Sequence, residues 1–263
     1  MQWGCNMKTF WQIFCNWNKE QVCTLRQHNI EIEEGCNSLT IDNDTYTTIK
    51  PLLDKWNVLA NIGVRFTPKE VLNSEYSVLH RWKMIGYPMP DNNGGYLDIT
   101  YDTRNLCRDC GVGKVQNGDF RLKSITKKPF WGLGWIFDEF FVSIDAYNEI
   151  FKPFRIECRK VRLFKSDREI DSIVQLVLPE ITEPLDLSNY SYQVCSKCGT
   201  IKYSAIIVGF FPLHSHPISH MYKSYEVFGD GCSAYKRVFV SKELRERMIK
   251  YNLLKITDFV PCY

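Results

Sequence analysis

The sequence contains no long apolar run. The longest, Ala205–Leu213, covers only about half of the ~20 residues that a membrane-spanning helix needs. The first seventeen residues are rich in aromatic side chains but are interrupted by Asn, Gln and Lys, so they lack the apolar centre of a secretion signal. We therefore expect a soluble protein that has no membrane partner.

A strong excess of charge of either sign is also missing. The net charge is +3 over 263 residues, which argues against a dedicated nucleic-acid binder. The charge is unevenly placed, because residues 107–165 and 191–263 each carry +5 and residues 166–190 carry −5. The plain interpretation of this pattern is solvated surface, and the sharper one is a mixed-sign face for a protein partner. Binding of nucleic acid is the less favoured alternative.

No set of residues stands out as catalytic. His214, His216 and His220 form an H-x-H-x3-H run, but the nearest acidic residue downstream is Glu226, so no neighbouring carboxylate can orient a ligand or act as a base. Three alternatives stay open for this run: a catalytic metal site, an accessory role at the zinc site that the cysteines predict, or a plain surface loop. The glycine-rich residues 228–234 lack the spacing of a phosphate-binding loop and predict a tight turn. We expect a protein that is not an enzyme.

What the chain does have is cysteine. It contains eleven, an odd number that is typical of a reducing compartment, and we expect a cytoplasmic protein. Four of them form two copies of the pattern C-x-x-C-G, namely Cys107 with Cys110 and Cys195 with Cys198. In this turn two thiolates bind one metal ion, and the glycine can adopt the positive φ that bends the backbone around the ion. The two copies predict one tetrahedral, structural Zn²⁺ site, with two disulfides or an iron–sulfur cluster as alternatives.

The spacing of the two motifs is unusual. Between Cys110 and Cys195 lie 84 residues, whereas a compact zinc ribbon has about 15–20. A metal bound by all four cysteines would therefore tie two distant parts of the chain together instead of closing a small finger. We call this arrangement a split zinc ribbon.

Each motif is followed by a similar stretch of sequence. Phe141-Val142-Ser143 and Phe239-Val240-Ser241 both predict a strand that ends at a serine placed to cap a helix, and a further strand follows each helix. The alternation of strands and short helices indicates an α+β fold, with a mixed or antiparallel sheet and about four short helices. We expect an N-terminal portion of uncertain role over residues 1–96. The zinc-linked domain with its two strand–helix–strand arms would then cover residues 97–263.

Three further stretches carry local predictions. Thr67-Pro68 is typical of a helix start, and apolar residues at helical spacing extend that helix from Val71 to Trp82. Residues 87–96 contain two prolines and predict a loop, and the alternating residues 96–101 predict a strand. Pro51–Trp56 predicts a helix with its proline in the first turn.

Taken together, the two C-x-x-C-G motifs, residues 135–143 and the ending 239–261 resemble the bacterial double-CxxCG motif proteins. Those are zinc-ribbon-containing proteins described as immunity proteins of polymorphic toxin systems. The resemblance covers roughly residues 97–263 and implies a cytoplasmic protein that neutralises a cognate toxin by binding it. Only Cys107, Cys110, Cys195 and Cys198 carry over as functional residues.

Overall fold

A computed structural model describes residues 7–87 and 95–263 of the chain. By its internal contacts the chain divides into two compact units: residues 1–67 with 207–209, and residues 68–206 with 210–263. This division falls earlier in the chain than the one that the cysteine motifs suggest, after residue 96. Within the described ranges, no helix has both the length and the apolar character required to span a membrane.

The first unit is a three-stranded antiparallel sheet with two helices. Its elements are β1 (Lys8–Phe14), α1 (Lys19–Gln27), β2 (Ser38–Asp42), α2 (Asn43–Lys55) and β3 (Ala60–Arg65), and the strand order is β2-β1-β3. Asp42 caps α2 by accepting a hydrogen bond from the Thr45 amide at 2.8 Å. Trp17, Leu25 and Ile49 lie at the centre of its apolar core.

The second unit contains the remaining helices and strands. Its helices are α3 (Pro68–Asn73), α4 (Gly95–Thr100), α5 (Ile144–Ala146), which continues as a π-helical turn (Tyr147–Phe151) and a 3-10 turn (Lys152–Phe154), and α6 (Lys242–Lys250). Its strands are β4 (Tyr76–Leu79), β5 (Met84–Ile85), β6 (Tyr101–Asp102), β7 (Val115–Gln116), β8 (Phe120–Leu122), β9 (Phe130–Leu133), β10 (Ile136–Ser143), β11 (Glu157–Leu163), β12 (Glu169–Val177), β13 (Tyr192–Val194), β14 (Ile201–Tyr203), β15 (Met221–Lys223), β16 (Val227–Phe228), β17 (Val238–Ser241) and β18 (Phe259–Pro261). A 3-10 turn over Ile256–Asp258 leads into β18.

These strands form one mixed six-stranded sheet, one antiparallel four-stranded sheet and two small ribbons. The strand orders are β5-β9-β10-β12-β11-β8, β15-β17-β4-β18, β13-β14-β16 and β6-β7. The six-stranded sheet packs on a core that includes Phe120, Trp131 and Phe141. The four-stranded sheet has its own core, which includes Phe211, Tyr222 and Phe239. The predicted α+β class with mixed and antiparallel sheets and about four helices is confirmed: the described residues form six helices, and four of them have seven residues or more when α5 is taken with its π-helical and 3-10 continuation.

The two predicted arms share one topology. In the first, β10 leads through α5 to β11, and both strands pair with β12. In the second, β17 leads through α6 to β18, and both pair with β4. All four pairings are antiparallel, so each arm joins two parallel strands through a helix, with one antiparallel strand between them. Both serines cap their helices as predicted: Ser143 Oγ accepts from the Ala146 amide at 3.2 Å and Ser241 Oγ from the Leu244 amide at 3.4 Å.

Two local predictions are wrong, and a third gives the right helix with the wrong start. The helix that starts at Pro68 ends at Asn73, and residues 76–79 form β4 instead. This strand lies inside its sheet, and Ser77, Val78 and Leu79 are all buried. Its sequence therefore lacks the alternation of polar and apolar residues of a half-buried strand, and its apolar residues happen to fall at helical spacing. Residues 95–100 are helical because Leu97, Thr100 and Tyr101 share a buried face, while Ile99 is exposed.

The third correction concerns Pro51. It lies in the interior of α2, which begins eight residues earlier, at Asn43, because Asp42 caps it. The predicted loop over residues 87–96 falls mainly on residues 88–94, outside the described ranges.

Candidate metal centre

Two β-hairpins present the four cysteines. Cys107 and Cys110 lie between β6 and β7, and Cys195 and Cys198 lie between β13 and β14. The Sγ atoms of all four lie within 4.8 Å of one another, although the two motifs are 88 residues apart in sequence. The structure therefore brings together all four cysteines that the sequence predicted.

The two turns have the same internal hydrogen bonds. In the first, the Cys107 amide donates to the Val112 carbonyl at 2.8 Å and the Gly111 amide donates to the Cys107 carbonyl at 2.7 Å. In the second, the Cys195 amide donates to the Thr200 carbonyl and the Gly199 amide to the Cys195 carbonyl, both at 2.9 Å. The φ angles of Gly111 and Gly199 are 78° and 71°, in the left-handed region that glycine adopts without strain.

The sulfur positions fit a single metal ion. With a Zn–S bond of about 2.3 Å, the sulfurs of a regular tetrahedron lie about 3.8 Å apart. The distance from Cys107 Sγ to Cys195 Sγ is 3.8 Å, and that from Cys110 Sγ to Cys198 Sγ is 3.5 Å. These distances are far longer than the ~2.05 Å of a disulfide bond, and all four are free thiols. The cluster is compatible with a single zinc ion.

The two turns differ in their surroundings. Cys110 is buried, and burial raises the pKa of its thiol to about 12. Cys198 is exposed, and its Sγ lies 3.2 Å from Thr200 Oγ1; hydrogen bonding to Thr200 lowers the pKa of Cys198 to about 6. A bound divalent cation would hold all four cysteines as thiolates and displace the remaining protons.

Sequence reasoning missed Lys202, a buried lysine on β14. Its Nζ donates to the Cys110 carbonyl at 3.1 Å, to the Gly231 carbonyl at 2.5 Å and to the Ser233 carbonyl at 2.9 Å. One ammonium group thus connects the strand after the second motif to the backbone of the first motif and to the glycine-rich turn. A cation beside the cluster also offsets part of the net −2 charge of a Zn²⁺ ion with four thiolates. The two C-x-x-C-G motifs gave no signal for this residue, because it lies four positions beyond the last cysteine.

The glycine-rich residues 228–234 form a turn, as predicted, and this turn supports the site. Phe228 and Tyr235 pair across it through two backbone hydrogen bonds. The Cys232 carbonyl lies against Gly111, where a β-carbon built on the glycine would approach it to 2.2 Å. The first motif therefore packs against this turn through its backbone and needs glycine at position 111 for space as well as for φ.

A buried polar network joins the first hairpin to the two larger sheets. Gln116 on β7 and Gln175 on β12 exchange side-chain hydrogen bonds at 2.8 and 2.7 Å. Gln175 Nε2 also donates to Glu139 Oε2 at 2.8 Å, and Lys223 Nζ donates to Glu139 Oε1 at 2.5 Å. The carboxylate of Glu139 holds the pKa of Lys223 above its ordinary value, against the effect of burial. We interpret the network as a support that orients the hairpin, since its groups satisfy one another.

The histidine run forms no ligand set. His214 is buried with its Nδ1 3.3 Å from the Tyr222 hydroxyl, and burial lowers its pKa. His216 is exposed beside Glu183, and His220 Nδ1 lies 2.9 Å from Ser241 Oγ. Within residues 7–87 and 95–263, the four cysteines are the one group of three or more His, Cys, Asp or Glu side chains placed to hold a metal ion. These histidine contacts support the loop alternative and do not support a catalytic metal there.

Comparisons of the chain with family models, with curated proteins and with solved structures find no match. The geometry of the cysteine cluster and the pattern of its two motifs are therefore what any functional assignment must start from.

Proposed function

We propose that this chain is a zinc-stabilised, non-enzymatic binding protein that neutralises a toxin protein by direct contact. The observation that carries the metal part of the proposal is the convergence of four thiols from hairpins 88 residues apart, at distances that suit one tetrahedral ion. A closed four-thiolate site leaves no coordination position for a substrate, which is typical of structural zinc. The resemblance to the double-CxxCG immunity proteins supplies the toxin as partner and a bacterial cytoplasm as location.

The metal part of the proposal is tested first. Protein purified without chelator should contain one zinc per chain by elemental analysis, and Cys195→Ser should lower both the zinc content and the melting temperature. A matched control is Cys158→Ser, since Cys158 is exposed on β11 and lies outside the cluster. Protein that contains no zinc, or that carries iron instead, would overturn this assignment.

The binding part is tested with the gene immediately upstream of this one. We expect that gene to encode a toxin domain, that co-expression of this chain restores growth, and that the two proteins purify as a complex. An unrelated toxin should be neither bound nor neutralised. If the neighbouring toxin gives neither rescue nor complex, the immunity proposal fails while the zinc assignment stands.

Binding of nucleic acid is the second candidate, and one feature of the second hairpin favours it. Tyr192 is 57% exposed beside Tyr203, where a base could stack. Two cations on the hairpins, however, are paired with acids, namely Arg104 with Asp102 and Lys197 with Asp109. This candidate requires affinity for DNA or RNA that falls steeply with salt, and no binding at low salt would remove it.

A further inference from the structure

The sheet of the first unit has one face that packs on the apolar core and one face that is open. Trp11 and Ile13 of β1 contribute to the core, and the strand register places them opposite Ile41 and Leu39 of β2. Because successive side chains of a strand point to opposite faces, the residues between them lie on the other side of the sheet. We call that side the outer face; it carries Phe10, Gln12 and Phe14 of β1, Thr40 of β2, and Asn61 and Arg65 of β3. None of these six residues is buried.

Two phenyl rings lie four residues apart on the outer face. Phe14 is 54% exposed at the end of β1. Phe10 lies over Gly63 of β3, where a β-carbon would approach the ring to 2.4 Å, so glycine at this position leaves the space that the ring occupies. At ~3.3 Å per residue, the two positions are about 13 Å apart along the strand. The outer face therefore offers aromatic surface at two places along β1.

A row of neutral polar side chains crosses the sheet between the rings. Gln12 has Thr40 directly opposite on one side and Asn61 on the other. In the part of the chain that the structure describes, none of these three side chains has a hydrogen-bond partner. Their amide and hydroxyl groups are therefore free to donate hydrogen bonds to a ligand on this face and to accept them from it.

Two cations stand side by side at one end of the outer face. Lys8 and Arg65 are directly opposite in the register of β1 and β3, and the Arg65 Cζ lies 4.8 Å from the centroid of the Phe10 ring. Within residues 7–87 and 95–263, neither cation has an acidic partner. Asp42, which the register places on the other side of Phe10, uses its carboxylate to cap α2. Like charges directly opposite on a sheet repel each other, so an anion bound between them would be stabilised.

Aromatic rings, neutral hydrogen-bonding groups and unpaired cations together match the chemistry of a single-stranded nucleic acid. Unstacked bases pack on aromatic rings, their edges form hydrogen bonds with side-chain amides and hydroxyls, and the phosphates pair with Lys or Arg. A duplex keeps its base faces inside the stack, so it could use only the cations. A purely acidic protein segment would also match Lys8 and Arg65, but it would leave the exposed Phe14 ring in water.

We propose that the outer face of the first unit binds single-stranded RNA or DNA. Phe10 and Phe14 stack on bases, and the polar row between them contacts the base edges. Lys8 and Arg65 pair with the phosphates. This activity goes beyond toxin neutralisation and does not rest on it, because neither the metal centre nor a toxin enters the observations. It also differs from the nucleic-acid candidate above, which depends on Tyr192 in the second unit.

The test is fluorescence anisotropy with the full-length, zinc-loaded protein. The probes are labelled oligothymidylate and oligouridylate of about twelve nucleotides, within the range that single-strand binders cover. We expect binding at low salt, with log affinity falling against log salt at a slope of about −1.4, because two phosphate contacts contribute about −0.7 each. Phe14→Ala should weaken binding about tenfold through the loss of stacking. Lys8→Gln should reduce the slope to about −0.7. The strand that binds more tightly identifies RNA or DNA as the preferred ligand.

Two matched variants control for these effects. Tyr192→Ala removes a similarly exposed ring, at 57%, from the second unit. Lys19→Gln removes an exposed cation at the start of α1. Both variants should bind the probes as the native protein does. Because Phe14 and Lys8 are exposed, their variants should keep the native melting temperature, which separates loss of a contact from loss of the fold.

Several outcomes would overturn the proposal. No binding of either single strand at low salt would mean that this face takes no nucleic acid. Equal affinity for a duplex of the same length, or unchanged affinity in Phe14→Ala, would mean that the rings do not stack on bases. Loss of binding in Tyr192→Ala would assign the site to the second hairpin, and equally tight binding of labelled oligoglutamate would assign the face to an acidic protein segment. Since no toxin enters these titrations, their failure leaves the proposed function intact.

Discussion

The two C-x-x-C-G turns have the same backbone geometry in different surroundings. Each has the same pair of amide-to-carbonyl hydrogen bonds and a glycine with positive φ. A β-carbon on Gly111 would meet the Cys232 carbonyl at 2.2 Å, whereas one on Gly199 would have nothing within 4 Å. Cys110 is buried and Cys198 is exposed. The first turn is thus part of the folded unit, and the second approaches the metal position from the solvent side.

The different surroundings of the two turns indicate which part of the site would depend on a bound metal ion. The first turn is held by the glycine-rich turn, and its hairpin is held by Gln116 through the network to Glu139. Lys202 on β14 connects the second hairpin to both turns, but the residues between Cys195 and Gly199 have no such support from the described part of the chain. In the second turn, Lys197 makes one exposed ion pair, with Asp109 at 3.8 Å, and such pairs contribute about 0–1 kcal/mol. We therefore expect that metal binding orders the second turn more than the first.

The largest effect is expected from loss of a ligand, and it should differ between the turns. Cys110→Ser and Cys198→Ser should both remove zinc, lowering the free energy of unfolding by several kcal/mol, because structural zinc contributes directly to folding. The loss should be greater for Cys110→Ser, since a serine hydroxyl is also buried there. Elemental analysis and thermal denaturation measure the two effects. If the two variants are equally destabilised after chelation, the comparison between the turns is wrong.

The next largest effect separates the two glycines. Gly111→Ala combines a left-handed φ with a backbone clash, and we expect the free energy of unfolding to fall by about 2–4 kcal/mol. Gly199→Ala meets open space, so only the φ penalty of about 1–2 kcal/mol remains. Urea denaturation of the zinc-loaded proteins measures both values. Equal losses of unfolding free energy in the two variants would show that the Cys232 carbonyl does not restrict the size of the side chain at position 111.

Two lysines near the second turn offer a matched pair. Lys202→Met leaves the carbonyls of Cys110, Gly231 and Ser233 without their shared donor, so we expect a loss of about 2–3 kcal/mol. Zinc affinity should fall about tenfold, as for other residues that support metal ligands. The control is Lys197→Met, whose exposed ion pair should change stability by less than about 1 kcal/mol. Denaturation and competition with a zinc chelator would detect the contrast, and similar losses in both variants would contradict it.

The sequence predicted the ligands because their chemistry is local. Two cysteines and a glycine in five residues predict a turn that can bind a metal ion, and a serine after an apolar strand predicts a helix cap. The supports of the site depend on contacts distant in sequence: Lys202 reaches Gly231, and Gln116 reaches Gln175 across 59 positions. No pattern in one sequence marks such pairs. The strand at residues 76–79 was missed for a related reason, because burial inside a sheet is decided by strands far along the chain.

The smallest expected effect concerns pH and the exposed turn. Hydrogen bonding to Thr200 lowers the pKa of Cys198 to about 6, so near neutral pH a zinc ion would have less proton to displace here than at an ordinary thiol. In Thr200→Val the thiol pKa should return toward its ordinary value, and zinc must then compete with a proton below that pKa. Zinc affinity of the variant should therefore be lower than that of the native protein near pH 7, and the two should converge as the pH rises above about 9. Chelator competition across this range measures the difference. A gap that persists unchanged at high pH would mean that Thr200 acts on the shape of the turn and not on the protonation of Cys198.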